Sequence, residues 1–370
     1  MNTLAIYARR SLVACALSVA SVACTHLSVD DCGDAFAHDV TRIRSSHVRM
    51  RINDTAVAAA RFAPYALMSA ISYFDGPDCG VDAQAAPLVP AKAREREALS
   101  VELARAGEGS APWEINDRLG SKGICEDDQG LLLQVWQQTL PDRTNVVVAF
   151  RGTSGANDWL YGNAWWFTRF VLTDNQYTRS RAHVARIIEH YAAQNKTTVL
   201  PRRIDFTTTG HSLGGGLAQH ALYAFPDKIR QAITFDPTPV TAFADVEPLV
   251  RARGCECLDE LGAEARIYRV YESYEILSDF RIFHKTFFPP HRHIHEVRFA
   301  FHHSANPVAQ HSMAKLASRL AGEAAAKSRA ADGVPWFASE VASCTAAFVD
   351  KQAVSCRVKA GSSLLAACPQ

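Results

Sequence analysis

Gly210-His211-Ser212-Leu213-Gly214 places a serine inside the pattern G-x-S-x-G, between a strand-like stretch (Arg203–Thr209) and a helix-like one (Leu213–Ala224). A strand that turns directly into a helix must hold that serine in a tight, strained bend. The flanking glycines remove side chains that would strike the neighbouring backbone. The hydroxyl then stands at a helix N-terminus, where the dipole and the Leu213 backbone N–H can stabilise a developing oxyanion. The chemistry this predicts is acyl transfer through Ser212.

A serine hydroxyl is a weak nucleophile alone, so the motif demands a histidine base and an acid to orient it, in the chain order serine, acid, histidine. Seven histidines follow the elbow helix: His284, His291, His293, His295, His302, His303 and His311. His311 is the expected base. It opens a helical stretch (Ala309–Ala326) after a loop, Ser304 to Pro307, that can carry it over the sheet edge. Asp236, Glu272, Glu275 and Asp279 all follow strand-like segments by a few residues. Glu275 is preferred because it lies in the loop beyond the second strand after the elbow, with Asp236 next. His291, His293 and His295 alternate, so on a strand they share one face, which is either a solvated face or a metal site. Cys255-Glu256-Cys257 has neither zinc-site nor thiol-oxidoreductase spacing. Acyl transfer of this kind requires no cofactor and no metal.

Around these residues the sequence alternates between strand and helix character, the pattern of an α/β protein with a mostly parallel central sheet flanked by helices. Helices are expected over Asp54–Ser72, Arg179–Gln194 and Leu213–Ala224. Strands are expected over Leu131–Trp136, Asn145–Phe150, Arg203–Thr209, Gln231–Phe235 and Ala265–Tyr271, with a His-rich, hairpin-like stretch after the last. Asn145–Phe150 is a continuous apolar run of the kind buried on both faces. Ala85 to Pro90 and Ala106 to Pro112 have the composition of surface loops.

The chain's ends suggest export. Arg9 and Arg10 precede an apolar run, Ser11 to Ala23, too short to span a bilayer but suited to a signal peptide over residues 1–23. Cys24 follows the expected cleavage site and resembles the cysteine of a bacterial lipobox, so ordinary secretion and lipidation at Cys24 are both open. Of 10 cysteines, eight remain without Cys15 and Cys24. That even number suits disulfides in the periplasm, at the outer membrane or outside the cell. The expected organisation is a signal peptide, a hydrolase-like body over 24–329 and a cysteine-containing tail, 330–370, packed on it. With 39 basic and 38 acidic residues and no basic block, nothing points to nucleic acid or to strong attraction to anionic membranes.

Val146-Val147-Val148-Ala149-Phe150-Arg151-Gly152-Thr153, followed by Asp158-Trp159, resembles the oxyanion-loop signature of the class 3 (fungal-type) lipases. Gly210-His211-Ser212-Leu213-Gly214-Gly215 is similar to that family's elbow. The resemblance runs in order from about Asp54 to Leu320 and implies an α/β-hydrolase fold acting on lipid esters. It assigns Thr153 and Leu213 to the oxyanion hole, Asp158 to holding the loop, and Glu275 to the position where the family carries an aspartate. It also implies a lid after the oxyanion residue, where Trp159, Tyr161, Trp165, Trp166, Phe167 and Phe170 would meet an acyl chain or a lipid interface, or else pack in the core. Two other readings remain in view: an envelope lipoprotein using the fold as a binding scaffold, and a metal-dependent hydrolase built on His291, His293 and His295.

Overall fold

A computed structural model describes residues 42–44, 49–52, 54–74, 90–106, 111–120, 131–152, 174–197, 201–259, 266–272, 275–277, 294–301, 306–326 and 337–340. The expected signal peptide, Cys24, the aromatic-rich stretch 159–170, Thr153, Asp158, His291, His293 and most of the tail lie outside these residues. So do the side chains of all the cysteines.

Ten strands form one sheet in the order β10-β2-β1-β9-β8-β7-β6-β5-β4-β3. Five of them, β5 (Arg143–Phe150), β6 (Arg203–His211), β7 (Ile229–Phe235), β8 (Ile267–Glu272) and β9 (Ile294–Phe299), run parallel at its centre. β3 (Glu114–Ile115) and β4 (Leu133–Thr139) extend one side antiparallel. β1 (Arg42–Arg44), β2 (Arg49–Ile52) and β10 (Phe337–Glu340) extend the other. The chain is therefore mixed α/β, with parallel strands at the centre and antiparallel strands at both edges. The described part of the His-rich stretch is β9, which pairs parallel to β8 rather than antiparallel as the second arm of a hairpin with it, and so requires a crossover between them.

Helices cover both faces, and the apolar central strand β5 shows why. Along β5, Val147 and Ala149 pack beneath α1 (Thr55–Ile71), α2 (Pro90–Arg105) and α7 (Met313–Ala325). Val146, Val148 and Phe150 pack on the other side beneath α3 (Asp174–Thr197) and α4 (Leu213–Ala224). Period-two alternation within one apolar run thus feeds two separate cores. Among the described residues the remaining α-helices are α5 (Pro248–Asp259) and the short α6 (Pro307–Gln310).

Two helices are tied directly to the strand that carries the elbow. The N-cap Asp54 accepts from the N–H groups of Ala56 and Val57 at 2.8 and 3.1 Å, which fixes the start of α1. Further along, Ser69 Oγ and Thr209 Oγ1 lie 2.9 Å apart, pinning α1 to β6. On the opposite face Thr208 Oγ1 donates to the Ala218 carbonyl at 2.8 Å, pinning α4 to the same strand. Adjacent residues of one strand therefore hold a helix on each face just before the chain reaches Ser212.

Candidate active site

Ser212 joins β6 to α4 with φ 55° and ψ −120°, a conformation that costs a non-glycine residue about 1–3 kcal/mol. Neighbouring backbone holds it there. The Ser212 N–H donates to the Phe235 carbonyl at 3.0 Å, and its carbonyl accepts from Gly215 and Thr238 at 3.1 and 3.0 Å. A Cβ on Gly210 would collide with the Gly214 backbone, and one on Gly214 with the Phe150 carbonyl, so both positions require glycine for close approach. The Ser212 hydroxyl does not cap α4. Leu213 opens that helix, with its N–H among the groups left without an intrahelical partner.

On the β5 side the backbone at Gly152 abuts the elbow closely. A Cβ there would lie 2.6 Å from the His211 carbonyl and 3.3 Å from Ser212 Cβ. The described part of the strand that the sequence assigns to the oxyanion loop thus ends against the serine.

His311 Nδ1 sits 2.7 Å from Glu275 Oε2, and the Glu275 side chain is fully buried. The same oxygen accepts from the Leu277 N–H at 2.8 Å, which fixes the carboxylate in its loop. In the neutral tautomer that donates from Nδ1 to Glu275, Nε2 carries the lone pair that can accept a proton. His311 does not open the last core helix. It occupies a turn between α6 and α7, because α7 starts afresh at Met313 after the extended Ser312. A turn leaves the ring free of helical packing on its own element and lets it reach the elbow, where it lies 4.5 Å from the His211 ring at 44°. Among the described residues no hydrogen bond joins Ser212 Oγ to His311; such pairs commonly tighten only with substrate bound.

The other acids have different partners. Glu272 Oε1 accepts from the Phe301 N–H at 2.9 Å and so braces the end of β9. Asp236 is buried at φ 40°, with Oδ1 accepting from the Glu272 N–H at 3.2 Å and Oδ2 3.9 Å from His211 Nε2. That separation exceeds a hydrogen bond. Asp279 lies outside the described residues.

Sequence reasoning missed Tyr73. This residue follows α1 and places its hydroxyl 2.7 Å from His211 Nδ1. Burial pushes its phenol far above the usual tyrosine range, against the opposing pull of a Gly152 backbone hydrogen bond and the Arg151 charge, so it stays neutral. The sequence signal was only a polar-tipped aromatic at a helix end. His295, one of the three alternating histidines, is buried on β9 against the Tyr268 ring, 5.6 Å centroid to centroid. The described residues that could hold a metal are instead His211, Asp236 and His311, whose donor atoms lie within 4.8 Å of one another.

A cleft of about 280 Å³ lies at the opposite, N-terminal ends of β5, β6 and β7, lined in part by Arg143, Arg203 and Arg230. Asp205 lies between two of these, 2.8 Å from Arg203 and 3.8 Å from Arg230. It contains none of the elbow residues. Among the described residues no helix is long and apolar enough to cross a membrane. Comparison with models of known protein families gave no match, and comparison with curated proteins gave none either.

Proposed function

We propose that the chain is an exported serine carboxylester hydrolase of the α/β-hydrolase fold, acting on lipid esters in the manner of the class 3 lipases it resembles. The observation that carries this reading is the strained Ser212 between a parallel strand and a helix, beside an imidazole whose Nδ1 is held by a buried carboxylate. Strain at a serine in this position has a functional rationale and no evident structural one.

In this reading His311 Nε2 takes the Ser212 proton as Oγ attacks the ester carbonyl, and Glu275 stabilises the imidazolium that forms. The Leu213 N–H and Thr153 hold the oxyanion. Collapse of the tetrahedral intermediate passes the proton to the departing alcohol and leaves an acyl-serine. Water, deprotonated by the same imidazole, then releases the fatty acid and restores the hydroxyl. Thr153 and the aromatic stretch Trp159 to Phe170 are assigned to the oxyanion loop and the lipid-facing lid on the strength of the sequence resemblance.

Labelling of the purified, signal-free protein with a fluorophosphonate tests the proposal. Wild type should label, while Ser212→Ala and His311→Ala should not. A folded wild type that stays unlabelled in the presence of detergent or lipid would overturn it in favour of a binding scaffold.

A further inference from the structure

Four elements bring a second set of groups to the elbow. His211 comes from the end of β6, Asp236 from the turn after β7, His311 from the turn before α7, and Tyr73 from the end of α1. Two imidazoles and one carboxylate, all at most slightly exposed, present donor atoms within 4.8 Å of one another. Two histidines with one carboxylate suit zinc, cobalt or ferrous iron. Calcium and magnesium prefer all-oxygen sites.

Three features make this more than a coincidence of polar groups. Each imidazole has its Nδ1 engaged, His211 by the Tyr73 phenol and His311 by Glu275, both at 2.7 Å. Outer partners of this kind orient a ligating histidine and direct Nε2 towards an ion. Asp236 sits at a left-handed φ of 40°, which aspartate and asparagine adopt more readily than other side-chain-bearing residues, and the Glu272 N–H fixes its Oδ1 so that Oδ2 faces His211. Finally, Asp236 is fully buried, so water screens little of the attraction between its carboxylate and a cation.

We propose that His211, Asp236 and His311 form a binding site for a divalent transition-metal ion of the zinc class, and that loading it switches off the hydrolase. An ion at the centre of a triangle whose edges all reached the 4.8 Å limit would lie about 2.8 Å from each corner. Each ligand must therefore close by ~0.7 Å at most to reach zinc distances. The switch follows from the shared atom, because His311 Nε2 cannot coordinate an ion and accept the Ser212 proton at once. The metal site stands without the proposed activity; its inhibitory effect rests on that reading.

The test uses the full mature chain, stripped with chelator and titrated with Co²⁺ by visible absorption and with Zn²⁺ by calorimetry. Wild type should bind one Co²⁺ with the ligand-field bands of a nitrogen- and oxygen-ligated site. Asp236→Asn, which keeps an acceptor for the Glu272 N–H, should weaken binding by at least about tenfold. Tyr73→Phe should weaken zinc binding about 10- to 100-fold through the loss of the outer partner. It provides a second variant should Asp236→Asn fail to fold by circular dichroism. Fluorophosphonate labelling of wild type should fall on zinc loading and return with chelator, and the ratio of labelling with and without zinc should move towards one in both variants. Co²⁺ binding indifferent to both substitutions would overturn the site. Labelling unaffected by bound zinc, or increased by it, would overturn the inhibitory role. A metal-free wild type that never labels would instead defeat the hydrolase reading, with the Co²⁺ titration still deciding the metal site.

Discussion

Two histidine–carboxylate pairs meet at the C-terminal ends of the parallel strands, and they are built differently. His311 and Glu275 are in hydrogen-bond contact at 2.7 Å, while His211 and Asp236 stand 3.9 Å apart. The first carboxylate is anchored within its own loop by the Leu277 N–H and orients an imidazole in a turn. The second is anchored by a neighbouring strand, and its histidine is oriented by a phenol instead. A carboxylate in contact with Nδ1 sets a tautomer and stabilises an imidazolium. One held a full ångström beyond that distance does neither as effectively. Under the proposed function this difference gives Glu275 the role of orienting His311 and stabilising its imidazolium, and leaves Asp236 for the proposed ion site.

Substitutions can break that comparison, beginning with the largest effect. Ser212→Ala or His311→Ala should each lower kcat/KM for a chromogenic ester by about 10⁴-fold or more, with little further loss in the double variant, because the two residues act as a unit. Glu275→Gln should cost about 10²- to 10⁴-fold through loss of the oriented tautomer. Asp236→Asn, measured under metal-free conditions, should cost no more than about tenfold. Equal losses in these two variants would erase the distinction between the pairs.

His220 supplies a buried histidine without a carboxylate. It lies on α4 with Nδ1 2.9 Å from the Thr241 carbonyl, and burial lowers its pKa to about 4. The fold therefore favours its neutral form. This contribution is fully present above the unfolded value near 6.5 and is lost as pH falls through about 4. Urea denaturation at pH 7 and pH 4.5 should show wild type losing ~2 kcal/mol more than His220→Asn between those conditions. The smallest effect expected is on the stability of Asp236→Asn. Asparagine tolerates the same left-handed backbone and keeps an acceptor, so urea denaturation at pH 7 should move by less than about 1 kcal/mol.

Local pattern made much of this legible. The elbow is a contiguous motif, and β5 announces itself through an apolar run, β6 through its place before the elbow, and α1 and α4 through helical spacing. α4 runs from Leu213 to Ala224 as expected, and α1 occupies Thr55–Ile71 within the expected Asp54–Ser72. The position of Glu275 after the second strand points to the carboxylate that lies 2.7 Å from His311 Nδ1. What the sequence hid is long-range. Nothing in periodicity brings residues 73, 211, 236 and 311 together, since they come from four elements joined only by the sheet order. The edge strands β1, β2 and β10 are three or four residues long, too short for an alternation to register. β9 is expected from the sequence only as part of a hairpin-like stretch whose histidines share a solvated or metal-binding face, because its histidines and charges disguise a strand whose described side chains are mostly buried.

The most direct test of the central claim is to trap the acyl-enzyme with a slowly deacylating β-lactone and locate the adduct by mass spectrometry of the digested protein. One acyl group on the peptide containing Ser212, absent from Ser212→Ala and strongly reduced in Glu275→Gln, is the expected result. An adduct on any other residue, or none on a folded protein supplied with detergent, would contradict the assignment of Ser212 as the nucleophile.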